Sequence, residues 1–331
     1  MAGTMPVIQT VDGLVAAYVL DGEGGGRLLD WSGVRAWKPG DGVLWVHLEQ
    51  DSPDAAKWIQ TESGVDPVIA EALLAAETRP RAFAEGPSLL VILRGVNLNP
   101  GAVPEDMVGL RMWCSEHLIV TVQRRRLMAI VTMREHLEKG HGATGAGDFL
   151  AQVAGLLVER MGPVIGDLHD GVDALEDDIG TLSPAAVREG VYGFRHQAIL
   201  LRRYLAPQRE VLARLATEAQ PWLPPRAKME LREVADRLLR HVEELDEVRE
   251  RAVLLKDELI AILSEKTNRT MYLLTVVAAI MLPLSFLTGL LGINVKGVPG
   301  AETDWAFLAV CGIMLVIGVI EIWLFRKWRW L

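Results

Sequence analysis

Apolar and polar positions follow three successive rhythms along the chain. Between residues 6 and 120, apolar runs at 14–20, 43–48, 88–98, 108–115 and 117–123 alternate with Gly/Asp-rich turns such as 21–27 and 38–42. Short runs rich in Val, Ile and Leu and bounded by turn residues predict strands. Residues 53–63 and 66–77 predict helices among them, the second opened by Asp66-Pro67. The expected result is an α+β domain with a mixed sheet.

From Asp148 the rhythm becomes helical. Residues 148–180 read as one amphipathic run ended by Gly180. Ser183-Pro184 combines an N-cap with a first-turn proline and opens a helix over 184–219. Pro221, Pro224 and Pro225 break it. Leu231, Val234, Leu238, Val242, Leu245, Val248, Ala252, Leu255, Leu259 and Ile262 then recur at spacings of three and four. That mean, about 3.4 residues, is near the coiled-coil period. With no glycine or turn cluster to stop it, one helix is expected from Arg226 to Leu291. At 1.5 Å per residue it measures roughly 100 Å.

The third rhythm is continuous. Residues 271–291 carry no charge, and residues 305–325 carry only Glu321. About 20 apolar residues span a hydrocarbon core of roughly 30 Å. The short linker, 292–304, makes the two spans an antiparallel hairpin. Lys266 and Arg269 precede it, and Arg326, Lys327 and Arg329 follow; the linker holds Lys296 with Glu302 and Asp304. Positive flanks stay inside, so both termini are expected in the cytoplasm of a bacterial inner membrane protein. Trp305, Trp323, Trp328 and Trp330 lie at span ends, where indoles favour the interface. The expected organisation is a cytosolic α/β domain (1–147), a cytosolic helical segment (148–225), a stalk helix (226–270), a first span (271–291), a periplasmic loop (292–304), a second span (305–325) and a basic tail (326–331). Two spans cannot enclose an aqueous pore, so a pore requires several copies around an axis, and the heptad stalk is a candidate bundling device.

Composition removes several classes. The 331 residues carry a net charge of −9, and residues 1–120 alone hold 16 acidic against 8 basic side chains, which argues against nucleic acid as a partner. Two cysteines, Cys114 and Cys311, exclude a disulfide scaffold and a thiolate zinc finger. Neither Gly-rich stretch, 22–26 or 142–147, is followed by the Lys-Ser/Thr of a phosphate loop, and nothing suggests a catalytic triad. An enzyme is not expected, and no cofactor is required. The first ten residues show no signal-peptide pattern.

Gly292-Ile293-Asn294 stands directly after the first span, preceded by PLSFLTGLL and followed by Val295-Lys296-Gly297-Val298-Pro299-Gly300. This arrangement resembles the CorA superfamily of divalent-cation transporters, where Gly-Met-Asn closes the first of two C-terminal spans. The isoleucine variant most resembles its ZntB branch, associated with zinc. The resemblance implies a homopentamer: a funnel of cytosolic domains, a stalk of long helices and a central pore of five first spans.

The motif also has a chemistry of its own. Gly292 lets the helix end turn without a Cβ. Asn294 supplies an amide oxygen that, repeated around an axis, makes a ring of neutral dipoles able to hold a hydrated divalent ion through its waters. The bland alternative is that Gly-Ile-Asn only caps the helix. Along the same helical face lie Ser285, Leu282, Ala278, Met271, Thr267, Ser264 and Asp257. Ser285 is the polar position, Leu282 and Met271 are apolar constrictions, and the resemblance makes Asp257 a candidate carboxylate ring. A surface pair with Lys256 or Arg251 is the alternative for Asp257. Ile293 in place of methionine weakens magnesium as cargo, and Lys296 places positive charge near the entrance.

All seven histidines fall outside the spans, so a dehydrated zinc site is not written there, and zinc is expected to pass hydrated. His169 and Asp173, one turn apart in an acidic run, are a candidate regulatory metal pair; a solvated helix face is the alternative. The expected function is divalent-cation transport, zinc preferred, by a self-assembled homopentamer embedded in lipid. The alternatives are a magnesium, cobalt or nickel transporter of broad selectivity, and a non-transporting membrane-anchored sensor.

Overall fold

The computed structural model describes residues 10–292 and 304–327. The chain forms two compact units, one ending at Lys256 and the other starting at Asp257. In the first, seven strands form one sheet: β1 (Leu14–Leu20), β2 (Gly26–Leu28), β3 (Val43–Glu49), β4 (Arg81–Glu85), β5 (Ser88–Gly95), β6 (Val108–Cys114) and β7 (Leu118–Gln123). Their order is β2-β1-β3-β7-β6-β5-β4. Only the β3–β7 pair is parallel, so the sheet is mixed, as expected.

The central strands read as unbroken apolar runs because both sheet faces are covered. On one face Val46, Leu48, Val120 and Ile92 pack with Trp58 and Ile59 of α2 (Pro53–Thr61) and Ile69 and Leu73 of α3 (Pro67–Leu74). Both helices begin at a proline, after the side-chain caps Ser52 and Asp66. On the other face Trp45 stacks on Tyr18 at 5.8 Å and meets Phe149 of α5 (Ala146–Glu159) at 4.8 Å. The Tyr18 hydroxyl donates to Glu138 of α4 (Met128–Glu138) at 2.8 Å.

Four elements depart from the pattern reading. β2 and β4 sit at the two sheet edges, where no two-sided burial imposes an apolar run. α1 (Trp31–Ala36) is a six-residue turn capped by Asp30, and α4 follows three consecutive arginines. The expected run over 148–180 is two helices, α5 and α6 (Met161–Asp177), meeting at Arg160. Pro163 explains the break, because it lacks the N–H that would bond the Glu159 carbonyl. Arg160 then fixes the corner by donating from Nη2 to Thr132 Oγ1 at 2.6 Å. The combined stretch is apolar enough to cross a membrane, but Phe149, Leu150, Val153, Leu157 and Ile165 are buried in this unit. The two Gly-rich stretches meet each other instead of a phosphate: Gly142 N donates to Gly24 O at 2.6 Å, and Gly24 has φ +100°.

α7 (Pro184–Leu215) starts at the Ser183 cap and ends four residues before the expected position. α8 is one helix, Pro225–Leu291, as the uninterrupted pattern requires. Leu231, Leu238, Leu245, Val248, Ala252 and Leu255 on its heptad stripe are buried within this one chain. Arg202 of α7 pairs with Asp246 at 2.7 Å, and Arg251 pairs with Asp173 of α6 at 2.5 Å. The stripe therefore packs α8 on its own neighbours, which corrects its reading as a device free to zip copies together. The second unit holds the remainder of α8 and α9 (Ala306–Lys327).

Behind Trp45 lies a buried polar cluster. Trp45 Nε1 donates to Thr121 Oγ1 at 2.8 Å, and His47 Nδ1 lies 2.8 Å from the same oxygen. Burial first, then the nearby Arg134 charge, pull the His47 pKa down to about 4; hydrogen bonds with Gln123 and Thr121 oppose this. A folded-state value below the ordinary 6.5 means that the unfolded chain binds the extra proton first. Stability is complete above about pH 6.5 and falls as pH drops toward 4, by about 3 kcal/mol from this group. Unfolding midpoints measured from pH 7 to pH 4 are expected to slope downward, with a shallower slope in His47→Gln. An unchanged slope in that variant would assign the acid sensitivity elsewhere.

Candidate ion path

The expected path residues lie on the C-terminal half of α8. Asp257, Ser264, Thr267, Met271, Ala278, Leu282 and Ser285 all belong to this one helix, and the structure leaves all seven exposed. At 100° per residue they fall within an arc of roughly 80°. Met271 is 62% exposed and Leu282 69%, extreme values for apolar side chains. α9 likewise has no buried residue. Two long apolar helices with nearly every side chain uncovered need a lipid or protein surround.

Four threonines in this stretch donate back to the helix's own carbonyls. Thr267, Thr270 and Thr275 donate to the carbonyls of Leu263, Lys266 and Met271 at 2.9, 3.0 and 2.8 Å. Thr288 Oγ1 donates to the Ser285 carbonyl at 3.0 Å. Such back-bonding is what a helix without access to water requires. Pro283 removes the donor for the Ala279 carbonyl, a defect that membrane helices tolerate and globular ones seldom do.

At the end of α8, Gly292 N still donates to Thr288 O at 2.9 Å. A Cβ on Gly292 would come within 3.0 Å of that same carbonyl oxygen, and its φ is not left-handed. Close approach to the last turn, rather than a sharp reversal at this residue, is therefore what suits glycine here. Ile293 and Asn294 of the motif lie outside the described residues, as do Lys296, Glu302, Trp328, Arg329 and Trp330.

The pair His169 and Asp173 does sit one turn apart on α6, but Asp173 and Glu176 both bind the Arg251 guanidinium. A cation there would compete with a fixed positive charge. Among the described residues no three His, Cys, Asp or Glu side chains come together as a metal site. Asp173 is an ion-pair partner that ties α6 to α8.

Comparison with known proteins agrees with this organisation. The family profile described as CorA-like Mg2+ transporter protein matches residues 40–327. A protein named divalent cation transporter CmaX from Pseudomonas aeruginosa is 37% identical over 96% of this chain and 97% of its own length. A protein named zinc transport protein ZntB from Pectobacterium atrosepticum is 36% identical over 96% of each chain. The structure of full-length CmaX superposes with a TM-score of 0.83 at 35% identity, covering 97% of this chain and 99% of that one. With a mixed α/β unit, an unbroken long helix and two uncovered apolar helices matched along nearly its whole length, the chain belongs to the CorA family of ion transporters.

Proposed function

We propose that this divalent-cation transporter of the CorA type prefers zinc and passes it hydrated through a central pore of five first spans. One observation carries the reading: α8 presents Asp257, Met271, Leu282 and Ser285 along a single exposed face that leads to Gly292. Copies arranged around an axis would turn that face into a lining of alternating apolar and polar rings, ending at the Asn294 amides. Asp257 would supply the carboxylate ring, Leu282 and Met271 the apolar constrictions. Neutral dipoles at the entrance suit an ion that keeps its water shell.

Zinc is supported by the name of the ZntB relative and by isoleucine at position 293. The inner membrane, with both termini cytosolic, is supported by the basic residues flanking the hairpin. Broad selectivity among magnesium, cobalt and nickel is the second reading, supported by the less specific name of the CmaX relative.

Uptake into proteoliposomes decides between them. With zinc, magnesium, cobalt and nickel offered in parallel, zinc flux is expected to exceed the others by about tenfold or more, the equivalent of about 1.4 kcal/mol of discrimination. Comparable flux for all four would establish the broad reading, and no flux for any would make the hairpin an anchor. Native mass spectrometry in detergent is expected to show five chains.

A further inference from the structure

One cavity of the soluble unit runs against the charge of its surroundings. Six arginines, Arg79, Arg94, Arg111, Arg124, Arg125 and Arg203, line a pocket of about 550 Å³ together with only two carboxylates, Glu77 and Asp106. They come from the segment after α3, from β5, from β6 and the segment before it, from the segment after β7, and from α7. The pocket lies beyond the carboxyl end of β7, one of the two parallel strands, and open α/β sheets bind ligands at such ends. Its volume falls in the range of small-molecule sites.

The fold holds these arginines in place at a cost. Arg111 is 3% exposed, and its pKa lies below the ordinary arginine value, through burial first and then the Arg94 and Arg124 charges, with Asp51 opposing. Its Nη2 donates to the carbonyls of Ala75 and Ala76, while its buried Nε has no partner among the described residues. Buried Thr78 Oγ1 is likewise without one. Arg94 gives its guanidinium to the Thr78 and Met107 carbonyls and lies 4.2 Å over the Tyr204 ring. Its backbone is pinned too: beyond the end of β4, the Gln208 amide accepts from Arg94 N at 2.6 Å and donates to Arg94 O at 3.1 Å.

Arg125 has Asp106 at 2.5 Å and Arg124 has Asp51 at 3.5 Å. Among the described residues no carboxylate pairs with Arg79, Arg94, Arg111 or Arg203. Gly109 lies beside Thr78 and Arg111 in the lining of this pocket. A Cβ there would lie 3.6 Å from Thr78 Oγ1 and 3.7 Å from Arg111 Nη1. Buried guanidinium charge without a counter-charge is unfavourable unless an anion completes it.

We propose that this pocket binds a soluble di- or triphosphate-bearing small molecule. Adjacent phosphates match a surplus of four positive charges on planar forks that accept phosphate bidentately. A lipid phosphodiester, with one negative charge, does not. The proposal stands on the soluble unit alone and does not depend on the transported ion.

Calorimetry on the full-length chain in detergent tests it, with sodium pyrophosphate as probe in metal-free buffer at constant ionic strength. The expected result is saturable binding, one pyrophosphate per chain, with a raised unfolding temperature. Arg111→Met is expected to abolish it. Because that variant touches a buried residue, Arg79→Ala/Arg203→Ala serves beside it: both side chains are exposed, and their joint loss is expected to weaken binding at least tenfold while the unfolding temperature without ligand stays as in the wild type. Absence of saturable binding, wild-type affinity in the double variant, or sulfate binding as tightly as pyrophosphate would each overturn the assignment.

Discussion

Asn294→Ala is expected to reduce cation flux by tenfold or more while leaving expression and native mass unchanged. In the sequence the residue follows Gly292 and Ile293, and the described helix reaches Gly292, whose N donates to Thr288 O. Its side chain contributes no charge. In the proposed pore it would offer a passing ion an amide oxygen toward the waters of the hydration shell. A hydrogen bond to a charged partner is worth about 1.5–3 kcal/mol, and removing it from every copy in a ring multiplies the effect on the barrier. Gly292→Ala probes the same turn differently. Its new methyl group would press on the Thr288 carbonyl at 3.0 Å, so it is expected to shift the ring without deleting it and to lower flux less. Proteoliposome flux and native mass, measured on both variants, check this. Wild-type flux from correctly assembled Asn294→Ala would reduce the motif to a helix cap.

The proposed oligomer gains a constraint from the buried stripe on α8. Leu231, Leu238, Leu245, Val248, Ala252 and Leu255 are buried within the same chain, so they are not free to join copies. Assembly must use other surfaces. Leu254, 67% exposed on α8, and the uncovered sides of the apolar helices are candidates, each with large apolar side chains left bare. This shifts the expected source of assembly from the stalk heptads toward the membrane.

How much of this could be read from residue order depends on how local each cause is. The central strands announce themselves because two buried faces demand apolar residues at every position, as in Leu14–Leu20 and Leu118–Gln123. α8 is legible because no glycine or turn cluster interrupts it before the first span, and Pro221, Pro224 and Pro225 mark the break between α7 and α8. Edge strands such as Arg81–Glu85 carry no such pattern: their identity comes from a partner strand, here β5. The corner at Arg160 is a local effect of Pro163 concealed by an amphipathic rhythm that continues across it. The ion pairs of Arg251 belong to another class. Spacing suggested a partner within α8, whereas the fold brings Asp173 and Glu176 from α6. The arginine pocket is the extreme case, since residues from 79 to 203 converge only through the sheet topology, inside a domain whose overall charge has the opposite sign.

The largest stability effect is expected at Trp45, on a central strand between β1 and β7. Its indole is fully buried, stacks on Tyr18, meets Phe149 and His47 at 4.8 and 6.0 Å, and donates to Thr121. Trp45→Ala would remove the ring from a site bounded on both sides by strands that cannot collapse into the void. Substitutions of this kind cost about 3–5 kcal/mol, a large part of the whole stability of an average domain. It would also free Thr121 Oγ1 from one partner, leaving His47 Nδ1 as the remaining side-chain contact. Trp45→Phe separates the two contributions, because it keeps an aromatic surface and loses only ring area and the N–H bond; the bond is worth about 1 kcal/mol. Urea unfolding followed by circular dichroism is expected to give a large drop for alanine and a modest one for phenylalanine. If both variants lost the same amount, the Thr121 hydrogen bond rather than aromatic packing would be what holds β1, β3 and β7 against α5.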